Sequence, residues 1–246
     1  MTCGEPMIDK NTYKVFQYII DHPKEDLHLN ITSNMCPPDD KLKAKYFNML
    51  QTICLQEKVE HVMQFVSVDA FGKRAEYIRH GLDFNRMMDN VEEFLERIPY
   101  RNSITFICTY NNLSITSMDK LLEKILELRQ KYSKEYQRVW FDVPLLRQPA
   151  WQQITLLPES YMSIHEDNIE YMRQNSGEHK GLHIFKDFEI QKMLRNLAYW
   201  KKNADASAET KKNFYAFFNE HDRRRNTNFQ NTFPEMIDFW QECKNA

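Results

Sequence analysis

A chain of 246 residues with 42% hydrophobic and 13% aromatic content can bury a sizeable core, which excludes an intrinsically disordered protein. Its 33 Lys and Arg against 35 Asp and Glu give a net charge of −2, without the basic excess of a general nucleic-acid binder. No apolar run reaches membrane-spanning length and no apolar leader opens the chain, so the expectation is a soluble, cytoplasmic protein with neither membrane nor nucleic acid as partner.

Asp9 is placed to cap a first helix that carries Val15, Phe16, Ile19 and Ile20 and stops at Pro23. Leu27 to Asn34, "LHLNITSN", alternates apolar and polar residues as a strand does. After Pro37-Pro38-Asp39, a second helix carries Leu42, Tyr46, Met49, Leu50 and Ile53, and His61 to Asp69 forms the next strand. Met87, Met88, Val91, Phe94, Leu95 and Ile98 mark a third helix, followed by a strand from Ser103 to Tyr110. Thr116 and Asp119 have the spacing of a capping box before a helix with Leu121, Leu122, Ile125 and Leu128, supported by a Glu127–Lys131 pair. Arg138 to Leu146 reads as the last strand.

Strands alternating with helices of this length predict parallel pairing through right-handed crossovers. From about Trp151 the pattern turns helical, with a turn at Ala204 to Glu209. The expected organisation is an α/β region over residues 1–150 and a helical region over 151–246, packed on or beside it. Cys3-Gly4-Glu5-Pro6 stands ahead of the first helix like the end of a strand whose body is missing, so a truncated sheet is expected.

Ligands of parallel α/β sheets sit at the carboxyl ends of the strands. Those ends are polar throughout: Gly4, Glu5 and Pro6; Thr32, Ser33 and Asn34; Ser67 and Asp69; Thr109, Asn111 and Asn112; Asp142, Pro144 and Arg147. Together they suggest a pocket for a polar ligand, with no Ser/His/Asp set or carboxylate pair for hydrolysis. Cys3, Cys36, Cys54, Cys108 and Cys243 are scattered without a Cys-x-x-Cys pair, which argues against structural zinc and a disulfide framework. Cys3 and Cys36 follow neighbouring strand ends, but such cysteines most often serve as small core residues, and neither is assigned to a metal. Phe214, Phe217 and Phe218 read as a packing stripe, and Arg223-Arg224-Arg225 as a solvated helix end.

The Gly4-Glu5-Pro6 turn resembles the Gly-Gly-Glu-Pro motif of radical S-adenosylmethionine (radical SAM) enzymes. The strand ending Thr32-Ser33-Asn34 is similar to their third strand. "SVDAFGKRAEYIRHGLDF" from Ser67 and "RNSITFICTYNNLSI" from Arg101 resemble the fourth and fifth strand regions of the twitch-domain subgroup, and "LRQPAWQQITLLPESY" and "FFNEHDRRRNTNFQNTFPEMIDFW" resemble its later parts.

The resemblance implies a partial (β/α) barrel that binds S-adenosylmethionine (SAM). Gly4, Glu5 and Pro6 would lie at the amino group of its methionine moiety, Ser67 and Asp69 near ribose or carboxylate, and Asn111 or Asn112 near the adenine side. Thr32 and Asn34 complete the implied cofactor-binding set. It also implies a 4Fe-4S cluster that reduces SAM to a 5′-deoxyadenosyl radical, which abstracts hydrogen from a peptide or small-molecule substrate. The sequence departs from the family in two ways. Cys3 replaces the first Gly, and the Cys-x-x-x-Cys-x-x-Cys loop is missing. The chain is therefore expected to be the SAM-binding and substrate-side portion of a longer enzyme, with no cluster held by this chain alone. The alternative is a non-catalytic α/β binding module that has lost the iron–sulfur centre. A generic nucleotide-binding domain is disfavoured because no Gly-rich phosphate loop is present. An uncovered edge at Leu27 to Asn34, with Leu27, Leu29 and Ile31 losing cover, predicts marginal stability, association through that strand and weak SAM binding.

Overall fold

Four strands pair in chain order as one parallel sheet, in a computed structural model that describes residues 4–177, 181–204 and 207–246. They are β1 (Lys24–Ser33), β2 (Val59–Ser67), β3 (Ser103–Ile107) and β4 (Val139–Asp142). The register sets Ile31 against Gln64, Phe65 against Thr105 and Phe106 against Phe141. A bridge from Tyr110 to Leu145 prolongs the β3–β4 pairing past the strands.

The connecting helices are α1 (Lys10–Asp21), ahead of β1, then α2 (Asp40–Leu55), α3 (Lys73–Ile78), α4 (Phe84–Arg97) and α5 (Met118–Tyr132). Asp9, Asp39 and Asp83 cap α1, α2 and α4, each accepting a backbone N–H of the first turn. Leu29, Ile31, Val62, Val66, Ile104, Phe106, Val139 and Phe141 are buried on one face of the sheet. Gln64 shares that face without cost to the core. Its Oε1 accepts from the Tyr46 hydroxyl at 2.7 Å, and its Nε2 donates to the carbonyls of Ile31 and Phe65. The opposite face is more open: Thr32, His61, Met63, Phe65, Ser67, Ile107, Trp140 and Asp142 are half-buried. On it, His61 sits 3.0 Å from the Ser103 hydroxyl, and burial followed by the nearness of His28 lowers its pKa.

The helical region comprises α6 (Met162–Gln174), α7 (Asp187–Asn203), α8 (Ala208–Arg225), α9 (Phe229–Thr232) and α10 (Ile237–Asn245). One hydrophobic cluster runs from Met7 to Cys243, so this region packs directly on the sheet region. Polar contacts reinforce the join: Tyr77 donates to Asp222 at 2.9 Å, and Tyr110 meets His165 Nδ1 at 2.6 Å. Arg129 of α5 reaches Glu189 of α7 at 2.6 Å. Among the described residues no helix is long and apolar enough to cross a membrane.

Several sequence expectations change. The first helix buries Tyr13, Phe16 and Ile19, whereas Val15 is exposed. Thr116 lies in a 3-10 turn (Ile115–Ser117), and α5 begins at Met118 with no side-chain cap. Lys131 pairs with Glu92 at 2.6 Å across to α4, while Glu127 pairs with Lys124. The interhelix carboxylate at Glu92 collects Lys124, Lys131 and Tyr132 and outbids the in-line pair. Lys73–Ile78 forms the short helix α3, an element outside the expected set. Ser207 caps α8, so Ala208 and Glu209 are helical rather than in the expected turn; its Asp205 and Ala206 lie outside the described residues, as does Cys3. Phe217 is exposed while Phe214 and Phe218 are buried. Strand β1 is an edge of the sheet, yet Leu29 and Ile31 are buried and only Leu27 is half-buried, so the expected loss of cover is not found.

Candidate functional site

The turn at Gly4 to Met7 is fastened to the carboxyl end of β1 by one side chain. Glu5 Oε1 accepts from the Ser33 hydroxyl at 2.5 Å and from Met7 N at 3.1 Å, and Oε2 accepts from Asn34 N at 2.9 Å. Gly4 stands at φ +70°, where any other residue is strained, and Pro6 is buried. The Asn34 side chain accepts from Cys36 N at 2.8 Å, closing an Asx turn.

Between them, Met35 takes φ +52° while fully buried. Its N–H donates to Ser33 Oγ and its carbonyl accepts from Asn90 at 2.8 Å, so the surrounding bonds impose the left-handed backbone. Strain of this kind costs about 1–3 kcal/mol and clusters at functional sites. Sequence reasoning missed it, because nothing about a methionine signals positive φ; only the flanking Ser33-Asn34 turn chemistry hints at it.

Thr32 and Ser67 extend this end of the sheet. Thr32 is in register with Phe65, so Ser67 lies two residues farther along β2 on the same half-open face. Glu5, Thr32, Asn34 and Ser67 therefore share one edge.

The remaining expected residues are engaged elsewhere. Asp69 is buried, with Oδ2 2.7 Å from Arg79 Nε and Oδ1 accepting from Arg79 and from Thr109 N. It ties the β2 loop to the β3 loop. The Cys108 thiol donates to the Asp69 carbonyl at 3.4 Å; burial and then the Asp69 charge push its pKa well up. Asn111 spends its amide on its own turn, donating to the Thr109 carbonyl and accepting from Leu113 N. Asn112 is fully buried and donates to the Trp151 carbonyl at 2.8 Å, leaving its Oδ1 without a hydrogen bond. The polar strand ends thus divide into an accessible set, Glu5, Thr32, Asn34 and Ser67, and an internal set, Asp69, Asn111 and Asn112.

Neutral hydroxyls and a fixed glycine turn fit the nucleoside and amino-acid parts of a polar ligand. A 4Fe-4S cluster needs several thiolates at one place. Among the described residues Cys54, Cys108 and Cys243 are each buried, and no three His, Cys, Asp or Glu side chains are placed to hold a metal ion. The described residues do not fit the cluster.

No protein-family model, curated protein or solved structure matches the chain.

Proposed function

We propose that this chain is the SAM-binding and substrate-side portion of a radical SAM enzyme of the twitch-domain type, built on a partial barrel. The observation that carries the reading is the attachment of the Gly4-Glu5-Pro6 turn to the β1 end through Glu5, Ser33 and Asn34. A turn resembling a SAM-binding motif lies where ligands of parallel sheets bind, beside half-open Thr32 and Ser67. The consecutive strand order, with one face in the core and the other half-open, supports a barrel-type rather than a doubly wound sheet.

In this reading Thr32 and Ser67 hydrogen-bond the ribose and carboxylate side of SAM. The Gly4 turn receives the methionine end. Asp69 acts indirectly, by holding the loop that follows Ser67. Radical generation needs a cluster supplied from outside the described residues, and the substrate, peptide or small molecule, would meet the half-open face.

Equilibrium dialysis with labelled SAM tests the reading. Weak saturable binding is expected, lowered roughly thirtyfold by Thr32→Val with Ser67→Ala together, since each lost hydrogen bond is worth about 1 kcal/mol. Binding that the paired substitution leaves unchanged would place SAM elsewhere and sink the assignment.

A further inference from the structure

A groove of about 450 Å³ opens between the loop after β4 and helix α7. Helical spacing builds one wall: Lys192, Arg195, Asn196 and Tyr199 stand at i, i+3, i+4 and i+7 and all line the groove. The loop supplies Val143 and Arg147 opposite them. Asn196 is buried and donates to the Val143 carbonyl at 3.0 Å, which fixes the two walls together.

The charges in this groove are unequal. Lys192 is neutralised by Asp142 at 2.6 Å. Arg147 lies over the Tyr199 ring, 4.7 Å from its centroid, a stack that orients the guanidinium without neutralising it. Among the described residues neither Arg147 nor Arg195 has an ion-pair partner. Two unpaired guanidinium groups therefore line a ligand-sized recess whose remaining lining includes apolar Val143 and Leu145. Guanidinium donors match carboxylate and phosphate oxygens in fork geometry.

We propose that this groove binds the oxyanion of a small ligand, a carboxylate or a phosphate, through Arg147 and Arg195. Tyr199 presents Arg147, and the Asn196–Val143 bond holds the cleft ready. The proposal is independent of the SAM reading, because β4 and α7 build the groove while the Gly4 turn, Thr32 and Ser67 lie at β1 and β2.

The test is an NMR titration of the chain with sodium phosphate and, separately, sodium succinate, against sodium chloride at matched ionic strength. Saturable shifts of the Arg147 and Arg195 Nε–Hε signals with either anion are expected. Arg147→Gln or Arg195→Gln should weaken that binding roughly tenfold, while Lys201→Gln, on the same helix but paired with Glu166 outside the groove, should not. Tighter phosphate binding would point to a phosphorylated ligand, and tighter succinate binding to a carboxylate. Unchanged amide spectra elsewhere confirm that each variant folds. No saturable shift with either anion, or equal weakening by Lys201→Gln, overturns the proposal.

Discussion

Arg129 and Glu189 form an ion pair at 2.6 Å with both side chains fully buried, and each also holds a backbone group of strand β4. Arg129 Nε donates to the Val139 carbonyl at 2.9 Å, and Phe141 N donates to Glu189 Oε1 at 2.9 Å. The pair thus bonds β4 edge groups that no strand pairs with among the described residues, and ties α5 and α7 to them. Removing one partner leaves a buried charge and an orphaned backbone group. Glu189→Leu should lower the unfolding free energy by about 3–5 kcal/mol, and Glu189→Gln, which still accepts from Phe141, by less. Urea denaturation gives both values; a loss below about 1 kcal/mol for Glu189→Leu would show that the join does not depend on the pair.

Asp69 is expected to affect folding before it affects ligand binding. Its carboxylate already serves Arg79 and Thr109 N, with only a small exposed fraction. Asp69→Asn should cost about 1–3 kcal/mol in thermal or urea unfolding. Full stability with abolished SAM binding would instead make Asp69 a direct ligand contact.

The main elements were legible because their signals are local. Period-2 alternation at Leu29 and Ile31 and helical spacing from Met87 to Ile98 both encode burial directly, and these residues are in the core. What escaped depends on distant partners. Lys131 could not be assigned to Glu92 from sequence, since the two lie on different helices. The polarity of the strand ends was readable, but not its division: whether Thr32 faces outward or Asn112 inward depends on what packs above each loop. Trp151, which receives the Asn112 amide, lies 39 residues downstream.

Alkaline pH should destabilise the fold through its buried thiols. Burial pushes the Cys54 thiol from 9.0 up to about 12, and burial followed by the Glu242 charge raises Cys243 to about 12 as well. Because the folded pKa lies above the unfolded one, the unfolded chain loses these protons first. Stability is complete below pH 9 and declines as pH rises through about 12. Denaturation midpoints at pH 8 and above pH 10 should differ accordingly, and Cys54→Ala with Cys243→Ala should reduce the difference, leaving the share of buried Cys108. An unaltered slope in that pair would assign the effect to other groups.

The turn itself can be tested through Gly4. Nothing lies within 4 Å of an added Cβ, so Gly4→Ala introduces only the conformational penalty of φ +70°. That penalty is about 1–2 kcal/mol and is concentrated at the turn. Hydrogen exchange at Met7 N and Asn34 N, the two amides that Glu5 accepts, should quicken while β3 and β4 keep their protection. Uniform loss of protection across the sheet would mean that the turn supports the whole fold.

The central claim is that SAM binds where the Gly4 turn meets β1 and β2, and residue-resolved NMR during SAM titration tests it most directly. The account predicts saturable shifts, at millimolar SAM, confined to Gly4 to Met7, Thr32 to Cys36 and Ser67 to Asp69. Shifts concentrated on α8 to α10, or none at millimolar SAM, would contradict it.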